Sequence, residues 1–266
     1  MWTRKELKAR AKAAFKANYW KCVLVTLIVM LLSNCFSVAR SVSNEYIRLD
    51  PIQKEYPLEI AEQLKGRGET LWERAGCEVK VRKLRIVARL SSTLAGRVAL
   101  WSTSLVIGLL SLLVLNPLIV GFRRFFLQNI RGDGNLKHLG AGFSGEWGNV
   151  VLTMFLQGLF TLMWGLLLVV PGIVKAYSYR LTPYLLLEHP GLSGTKAITL
   201  SQRMMSGHKR EAFLLDLSFI GWFLLGLLTL DISGIFYARP YYYSADAELY
   251  ESIRACSDVE LSLDDD

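Results

Sequence analysis

The run VVLTMFLQGLFTLMWGLLLVV, residues 150–170, decides the fold class because it has no charged side chain over a length that suits a membrane span. At about 1.5 Å per residue, a helix of this length covers roughly 30 Å, the thickness of the hydrocarbon core of a bilayer. Residues 22–39, 98–122 and 212–230 repeat the pattern, with Asp216 as their single charge. Buried helices of soluble proteins seldom run so far without charge, so the sequence predicts a membrane protein.

Two other segments, residues 173–187 and 232–250, are apolar at most positions but contain charged residues. Each is compatible with a span whose polar groups face the interior of a bundle, or with an amphipathic segment at the membrane surface. We favour spans. The predicted fold is therefore all-α, a polytopic transmembrane helix bundle of about six spans with an N-terminal amphipathic helix.

The N-terminal residues 1–21 are strongly basic and predict the orientation of the bundle. Thr3 and Glu6 form a capping-box pattern, and apolar residues recur at helical spacing after them. Because a basic flank favours the cytoplasm, we expect a cytoplasmic amphipathic helix on the inner leaflet. A cleavable signal peptide ending near Ala39 is the rival interpretation. It is disfavoured because its apolar region exceeds the usual length of about 7 to 15 residues.

The connections between the segments support this orientation. Residues 123–149 and 188–211 are short and basic, and an arrangement of about six spans places both in the cytoplasm. Keeping residues 173–187 outside would leave the second basic loop outside as well. Residues 192–206, which begin near Ser193, predict a cytoplasmic interfacial helix within that loop.

The two most polar parts of the chain are residues 40–97 and residues 251–266. The topology places residues 40–97 outside as a charged extracytoplasmic connection, although their second half is basic. Connections approaching about 60 residues obey the positive-inside rule weakly. Residues 251–266 form an acidic tail that we expect in the cytoplasm, which would place both termini on that side.

The charge distribution indicates the partners. A net charge of +8 would suit nucleic acid, yet the basic residues gather at the ends of the apolar segments. Anionic lipid headgroups of the bilayer are therefore the simpler partner, and no nucleic acid is expected. A second membrane protein or a second copy of the chain is the other expected partner.

No motif for catalysis or for a cofactor occurs in the sequence. The four cysteines show no paired spacing, and His138, His189 and His208 stand far apart, so no metal site is indicated. Neither a phosphate-binding loop nor a nucleophile elbow is present. We expect no catalytic residue, no cofactor and no metal.

Three charged residues within apolar segments are the candidate functional residues: Lys175, Arg180 and Asp216. An ionisable group at membrane depth is costly unless it is paired or hydrated. A structural role for Asp216, paired with a nearby cation such as Arg180 or Arg210, is favoured over proton or substrate binding. Lys175 and Arg180 could form an anion or lipid-headgroup pocket, but side chains that snorkel to the headgroups are favoured.

Residues that break helices accompany these charges. The pairs Asn116-Pro117, Pro171-Gly172 and Thr182-Pro183 resemble the breaks that transporters use for binding sites, although ordinary kinks are the favoured interpretation. We expect Pro171-Gly172 to form the turn between the span at 150–170 and the next helix.

Several stretches carry a family resemblance. PGIVKAYSYRLTPY (171–184), AITLSQRMMSGHK (197–209), FLLDLSFIGW (213–222) and the N-terminal TRKELKARAKAAFKANYWK (3–21) resemble the bacterial integral membrane family called domain of unknown function 975. The resemblance covers the chain except for residues 40–97. It implies a polytopic, all-helical protein of the bacterial cytoplasmic membrane, and no reaction. The family is distantly similar to the membrane portion of membrane-anchored glycerophosphodiester phosphodiesterases, whose catalytic barrel this sequence does not contain.

These observations lead to one expected function and two alternatives. We expect a non-enzymatic membrane protein that acts through helix packing and through lipid or partner contacts, as a scaffold or a membrane-homeostasis factor. A small-molecule or lipid transporter is the first alternative, and a membrane-embedded accessory domain of lipid metabolism is the second. The expected location is the bacterial cytoplasmic (plasma) membrane, in a multi-pass arrangement.

Overall fold

A computed structural model describes residues 3–48, 94–189 and 191–256 of the chain. The α-helices, in chain order, are α1 (Arg4–Ala17), α2 (Tyr19–Arg48), α3 (Leu94–Ile130), α4 (Trp147–Leu167), α5 (Val169–Ser178), α6 (Thr182–Glu188), α7 (Gly194–Met204), α8 (Lys209–Leu217), α9 (Ile220–Leu228) and α10 (Arg239–Cys256). A 3-10 helix, Leu136–Phe143, precedes α4, and a π-helical segment, Gly234–Ala238, leads into α10. The described ranges contain no β-strand, which confirms the all-α prediction.

Four helical segments are long and apolar enough to cross a membrane. They are Tyr19–Ser41, Trp101–Ile130, Trp147–Leu167 and Lys209–Leu228, with mean hydropathies between 1.8 and 2.5. Each matches one of the four strongly apolar segments of the sequence. Such lengths are those of a membrane protein. A total of about six spans stays a prediction.

Parts of two predicted regions lie outside the described residues. Of the connection at 40–97, the structure describes its first residues as the end of α2 and its last as the start of α3. Of the acidic tail at 251–266, it describes the last turns of α10. The predictions for the remaining residues of both regions fall outside the described part of the chain.

The chain divides into two compact units. One comprises Met1–Leu32 and Leu112–Asp266, and the other comprises Ser33–Ser111. Within the second unit, the Arg40 guanidinium donates a hydrogen bond of 2.5 Å to the Ser111 hydroxyl, which joins α2 to α3. The candidate residues all lie in the first unit.

Helix α10 is the central helix of the first unit. Its buried residues are Pro240, Tyr241, Ser244, Ala245, Asp246, Ala247, Glu248, Leu249, Tyr250, Ser252 and Ile253. In the segment predicted as a span at 232–250, the α-helix runs from Arg239 to Cys256 and protein surrounds most of it, so its bounds differ from the predicted ones, and its crossing of the membrane stays a prediction. This environment explains why the segment holds Asp246 and Glu248, since buried carboxylates require protein partners.

Helix α1 packs on α10 through its apolar face. The capping box is confirmed, with the Glu6 amide donating to the Thr3 hydroxyl at 3.3 Å. Leu7 and Phe15 are buried beside Tyr241 in the main hydrophobic core, and each such side chain contributes about 1.5 to 3 kcal/mol. A protein surface therefore covers the apolar face of α1, so this face does not meet lipid, and the position of the helix at the inner leaflet stays a prediction. The face that remains exposed is basic.

Helices α4 and α5 form a tight hairpin. The chain turns at Leu168, whose backbone is extended (φ −157°, ψ 139°). Helix α4 therefore ends before the last residues of the charge-free run. Pro171 then lies in the first turn of α5, where a helix needs no amide donor. The prediction of a turn at Pro171-Gly172 is wrong by three residues, because the first turn of a helix accommodates a proline without a break.

Gly172 permits the close approach of these two helices. A Cβ atom on Gly172 would lie 2.6 Å from the Cα atom of Gly165, whereas a Cβ atom on Gly165 would meet nothing within 4 Å. We therefore expect Gly172→Ala to lower the free energy of unfolding by about 1 to 3 kcal/mol, measured by thermal unfolding in detergent. Gly165→Ala, the matched control in the same hairpin, is expected to be neutral or slightly stabilising. Equal effects of the two substitutions would contradict the close packing at Gly172.

The predicted span at 173–187 is two short helices rather than one. Helix α5 ends at Ser178 and α6 begins at Thr182. The Ser201 hydroxyl of α7 bridges the break, since it accepts from the Leu181 amide at 3.1 Å and donates to the Ser178 carbonyl at 2.9 Å. Backbone groups freed by a buried break need such partners. The break is therefore built into the fold, whereas an ordinary kink was the favoured interpretation of Thr182-Pro183.

Two further predicted helices differ in detail from the observed ones. The interfacial helix predicted at 192–206 is α7, which begins directly after Ser193. The predicted span at 212–230 consists of α8 and α9, with a turn at Ser218 between them. Lys8 of α1 holds this turn, since its Nζ atom donates to the Ser218 hydroxyl at 3.1 Å and lies 4.4 Å from the ring centre of Phe219.

Candidate functional site

Arg180 lies in the break between α5 and α6, and its side chain is buried. Its guanidinium binds Asp216 of α8 with two parallel hydrogen bonds, Nη1 to Oδ2 at 2.9 Å and Nη2 to Oδ1 at 3.0 Å. A bidentate pair of this kind combines charge with a fixed geometry. The two candidate residues are therefore partners of one another, as the structural interpretation of Asp216 predicted.

Asp246 of α10 lies on the other side of Arg180 and is 1% exposed. The Nε atom of Arg180 donates to its Oδ1 atom at 2.5 Å, and Arg123 of α3 pairs with its Oδ2 atom. The Tyr184 hydroxyl also donates to Oδ2, at 2.8 Å. Asp246 thus lies between two guanidinium groups that come from different parts of the chain.

Arg123, Arg180, Asp216 and Asp246 together form what we call the four-charge network. Tyrosines complete it, since the Tyr177 hydroxyl donates to Asp216 at 2.8 Å and the Tyr242 hydroxyl accepts from Arg180 at 3.0 Å. Two positive and two negative charges cancel, and each carboxylate accepts several hydrogen bonds. Buried charges are tolerated when they are paired and hydrogen-bonded in this way.

The four-charge network joins α3, α8 and α10 to the break between α5 and α6. Because the carboxylates already accept bonds from arginine and tyrosine, neither is a free general base. The side chain of Asp216 is the more accessible one, at 26% exposed against 1% for Asp246. The arrangement can hold helices in a fixed register, and Asp216 is its point of contact with the surroundings.

Lys175 lies apart from the four-charge network. Its Nζ atom is 5.1 Å from the ring centre of Trp164 and 5.9 Å from that of Tyr179, which are cation–π distances. No described contact joins Lys175 to Arg180. The pocket in which both would bind one anion is therefore not formed, since Arg180 is already paired with carboxylates.

Sequence reasoning did not select Arg123 or Asp246. Arg123 directly follows the apolar segment at 98–122 and counted only as a loop charge, and Asp246 lay in the ambiguous segment at 232–250. The sequence did contain one signal of pairing. Two arginines and two aspartates lie in or beside apolar segments, and their charges sum to zero. The sequence does not say which of these residues are neighbours.

A second cluster of charges surrounds Glu188 at the end of α6. Arg131 donates to its Oε1 atom at 2.5 Å, Arg254 donates to the same atom at 3.0 Å, and the Tyr250 hydroxyl binds its other oxygen. The rings of Tyr184 and Tyr250 stack with centres 4.8 Å apart, which connects this cluster to the four-charge network. Burial favours a higher pKa for Glu188, but the bonds from Tyr250 and Arg131 and the charge of Arg254 prevail and lower its pKa.

This shift predicts a pH dependence of stability. A carboxylate whose pKa is lowered by folding stabilises the folded state above its ordinary pKa of 4.5, and this stability is lost as the pH falls. We expect wild-type protein in detergent to lose thermal stability below about pH 4.5, and Glu188→Gln to lose less over the same range. Glu146→Gln, which removes an exposed carboxylate outside the cluster, should follow the wild type. Identical profiles for wild type and Glu188→Gln would contradict the role of the cluster.

Among the described residues, no group of three His, Cys, Asp or Glu side chains could hold a metal ion. The fold and the site define the class as a helical membrane protein whose buried charges are paired internally. The chain belongs to the family described as Protein of unknown function (DUF975), whose model matches residues 1–257. This match confirms the suspected family and also includes residues 40–97, which the resemblance had left out. No curated protein and no solved structure matches the chain.

Proposed function

We propose that this protein is a non-enzymatic scaffold of the bacterial cytoplasmic membrane, with several spans and both termini in the cytoplasm. The observation that carries the proposal is the pairing of Arg180 with Asp216 inside the four-charge network. The two residues best suited to bind a substrate are already bound to each other, and Arg180 is also bound to Asp246. A closed network of this kind supports a rigid role more than a chemical one.

The surfaces of the described part support contact with lipid and with other membrane proteins. Apolar side chains are widely exposed along α4 and α9, for example Leu162 at 67% and Leu227 at 78%. Exposed apolar surface on helices of this length is suited to lipid tails or to a neighbouring helix. The basic face of α1 and the basic start of α8 support the orientation, because cations favour the cytoplasmic side.

A second candidate function, transport, has one specific observation in its favour. The Arg180–Asp216 pair lies close to two helix breaks, one between α5 and α6 and one between α8 and α9. Transporters place their binding sites at broken helices of this type. In a transporter the pair would have to open, and the partly exposed Asp216 would then receive the substrate or a proton.

One experiment separates the two functions. Wild type, Asp216→Asn and Lys175→Gln are reconstituted in proteoliposomes and assayed for proton uptake and for translocation of fluorescent phosphatidylglycerol. A scaffold is expected to show neither activity in any of the three proteins, while Asp216→Asn is less stable in detergent. Flux through the wild type that is lost in Asp216→Asn but kept in Lys175→Gln would overturn the scaffold proposal.

A scaffold must also hold a partner. Cross-linking in native membranes, followed by purification in mild detergent, is expected to yield a discrete complex larger than the 30.0 kDa chain. The partner is a second copy of the chain or another membrane protein. A chain that stays monomeric and uncross-linked would contradict the proposal.

A further inference from the structure

A groove of about 600 Å³ lies between the start of α1 and the start of α8. Its lining residues are Thr3, Arg4, Lys5, Arg210, Glu211 and Leu214. The groove shares no residue with the four-charge network, although Leu214 lies two residues before Asp216 on α8. A volume of this size accommodates a small ligand or the headgroup of a lipid.

The groove concentrates positive charge that no residue in the described part of the chain neutralises by an ion pair. Arg4, Lys5 and Arg210 are exposed, and none of them forms an ion pair with another residue in the described part of the chain. The single acidic residue, Glu211, lies 3.6 Å from the Nδ1 atom of His208. Three cations against one carboxylate give the groove an excess of positive charge, which attracts phosphate groups.

The groove also lies at the end of an apolar segment. Helix α8 begins the segment Lys209–Leu228, which is long and apolar enough to cross a membrane. Leu214 forms the apolar part of the lining, and Phe213 and Leu217 continue as exposed side chains along the same helix. Cations at the end of a span, with apolar surface directly beyond them, match the polar head and the apolar tails of one phospholipid.

The two walls of the groove are held in place by the rest of the first unit. Lys8, one turn along α1 from Arg4, bonds to Ser218 at the end of α8. Farther along α1, Arg10 joins this helix to α10 through an ion pair with Glu248 at 3.1 Å. The relative position of the two helices that carry the cations is therefore set before any ligand arrives, which lowers the cost of binding.

We propose that this groove binds the phosphate-bearing headgroup of an anionic phospholipid, with the acyl chains lying along α8. Arg4, Lys5 and Arg210 contact the phosphate, and Leu214 contacts the start of the chains. The inference goes beyond the scaffold role and does not depend on it, because a transporter could carry the same lipid site.

The test uses the full chain in neutral detergent, with native mass spectrometry and thermal unfolding as readouts. The probes are phosphatidylglycerol, phosphatidylcholine and inorganic phosphate. Wild type is expected to retain phosphatidylglycerol and to be stabilised by it, with little response to phosphatidylcholine. The variant Arg4→Gln/Lys5→Gln/Arg210→Gln is expected to bind phosphatidylglycerol at least about tenfold more weakly.

The matched control removes the same charge elsewhere on the basic surface. Lys12→Gln/Lys16→Gln/Lys21→Gln replaces three exposed lysines that do not line the groove, and it should change the affinity by less than about threefold. Equal losses in the two triple variants would overturn the site in favour of diffuse attraction. Equal stabilisation by inorganic phosphate would overturn the lipid as ligand and assign the groove to a soluble phosphate.

One further variant keeps the proposal testable if the groove variant does not fold. Glu211→Gln removes the only acid among the described residues that line the groove and keeps all of its cations. The affinity for phosphatidylglycerol is expected to rise by about twofold to fivefold, with no change for phosphatidylcholine. An unchanged or lower affinity for phosphatidylglycerol would overturn the proposal. These affinities are measured separately from flux and cross-linking. The lipid site can therefore be refuted while the scaffold function holds, and the scaffold function can be refuted while the lipid site holds.

Discussion

Replacing Asp246 with asparagine is expected to lower the free energy of unfolding by about 3 to 5 kcal/mol, because Arg123 and Arg180 then lose the carboxylate between them. Asparagine is nearly isosteric with aspartate, so the loss reports charge rather than a cavity. Arginine does not give up its proton in proteins, so both guanidinium groups would stay charged, Arg180 in a buried place and Arg123 in a partly buried one. The measurement is denaturant or thermal unfolding in detergent, with the yield of folded protein recorded as well.

The matched control for Asp246→Asn is Asp133→Asn. Asp133 is a paired aspartate as well, but its partner among the described residues is His138 alone, at 2.8 Å, and its side chain is 61% exposed. Exposed pairs contribute about 0 to 1 kcal/mol, so this variant should unfold almost like the wild type. Similar small losses in both variants would show that Asp246 is not the centre of a buried network.

The second large effect is expected for Arg180→Lys, a substitution that keeps the charge. Lysine has a compact ammonium group and cannot reach both oxygens of Asp216 and Oδ1 of Asp246 in the planar geometry of a guanidinium. We expect a loss of about 2 to 4 kcal/mol in the free energy of unfolding. The reverse exchange, Lys175→Arg, keeps a cation over Trp164 and is expected to change stability by less than about 0.5 kcal/mol.

A double-mutant cycle tests the pairing itself. Arg180→Met leaves Asp216 without its bidentate partner, and Asp216→Leu removes the carboxylate that is left behind. The double variant should therefore be less destabilised than the sum of the single variants, by about 1 to 3 kcal/mol. Simple additivity would mean that the two side chains do not interact. The cycle measures the free energy of unfolding alone, so its result does not depend on flux or on ligand binding.

Several features of the fold could be predicted from single segments. The length of an apolar run is a local property, so residues 22–39, 98–122, 150–170 and 212–230 each correspond to one observed membrane-length segment. The capping box of α1 is also local, because Thr3 and Glu6 are one helical turn apart. Helix ends were less predictable. The charge-free run gave no sign of the turn at Leu168, since Val169 and Val170 are as apolar as the residues before it.

The candidate site could be predicted in part. Asp216 was expected to need a nearby cation, and Arg180 was among those considered, because an unpaired carboxylate in an apolar segment is costly. Asp246 could not be ranked above the other charges of its segment. Its importance depends on Arg123, which is 123 residues away along the chain, and on the tyrosines that surround it.

The sequence by itself determined that the protein is helical and belongs to a membrane, because hydropathy and helical period act within one segment. Tertiary structure decided which charges are neighbours, that α10 is a buried central helix, and that the apolar face of α1 meets protein instead of lipid. The physical reason is that a bilayer and a protein interior are both apolar solvents for a helix. Only the packing of distant segments distinguishes them.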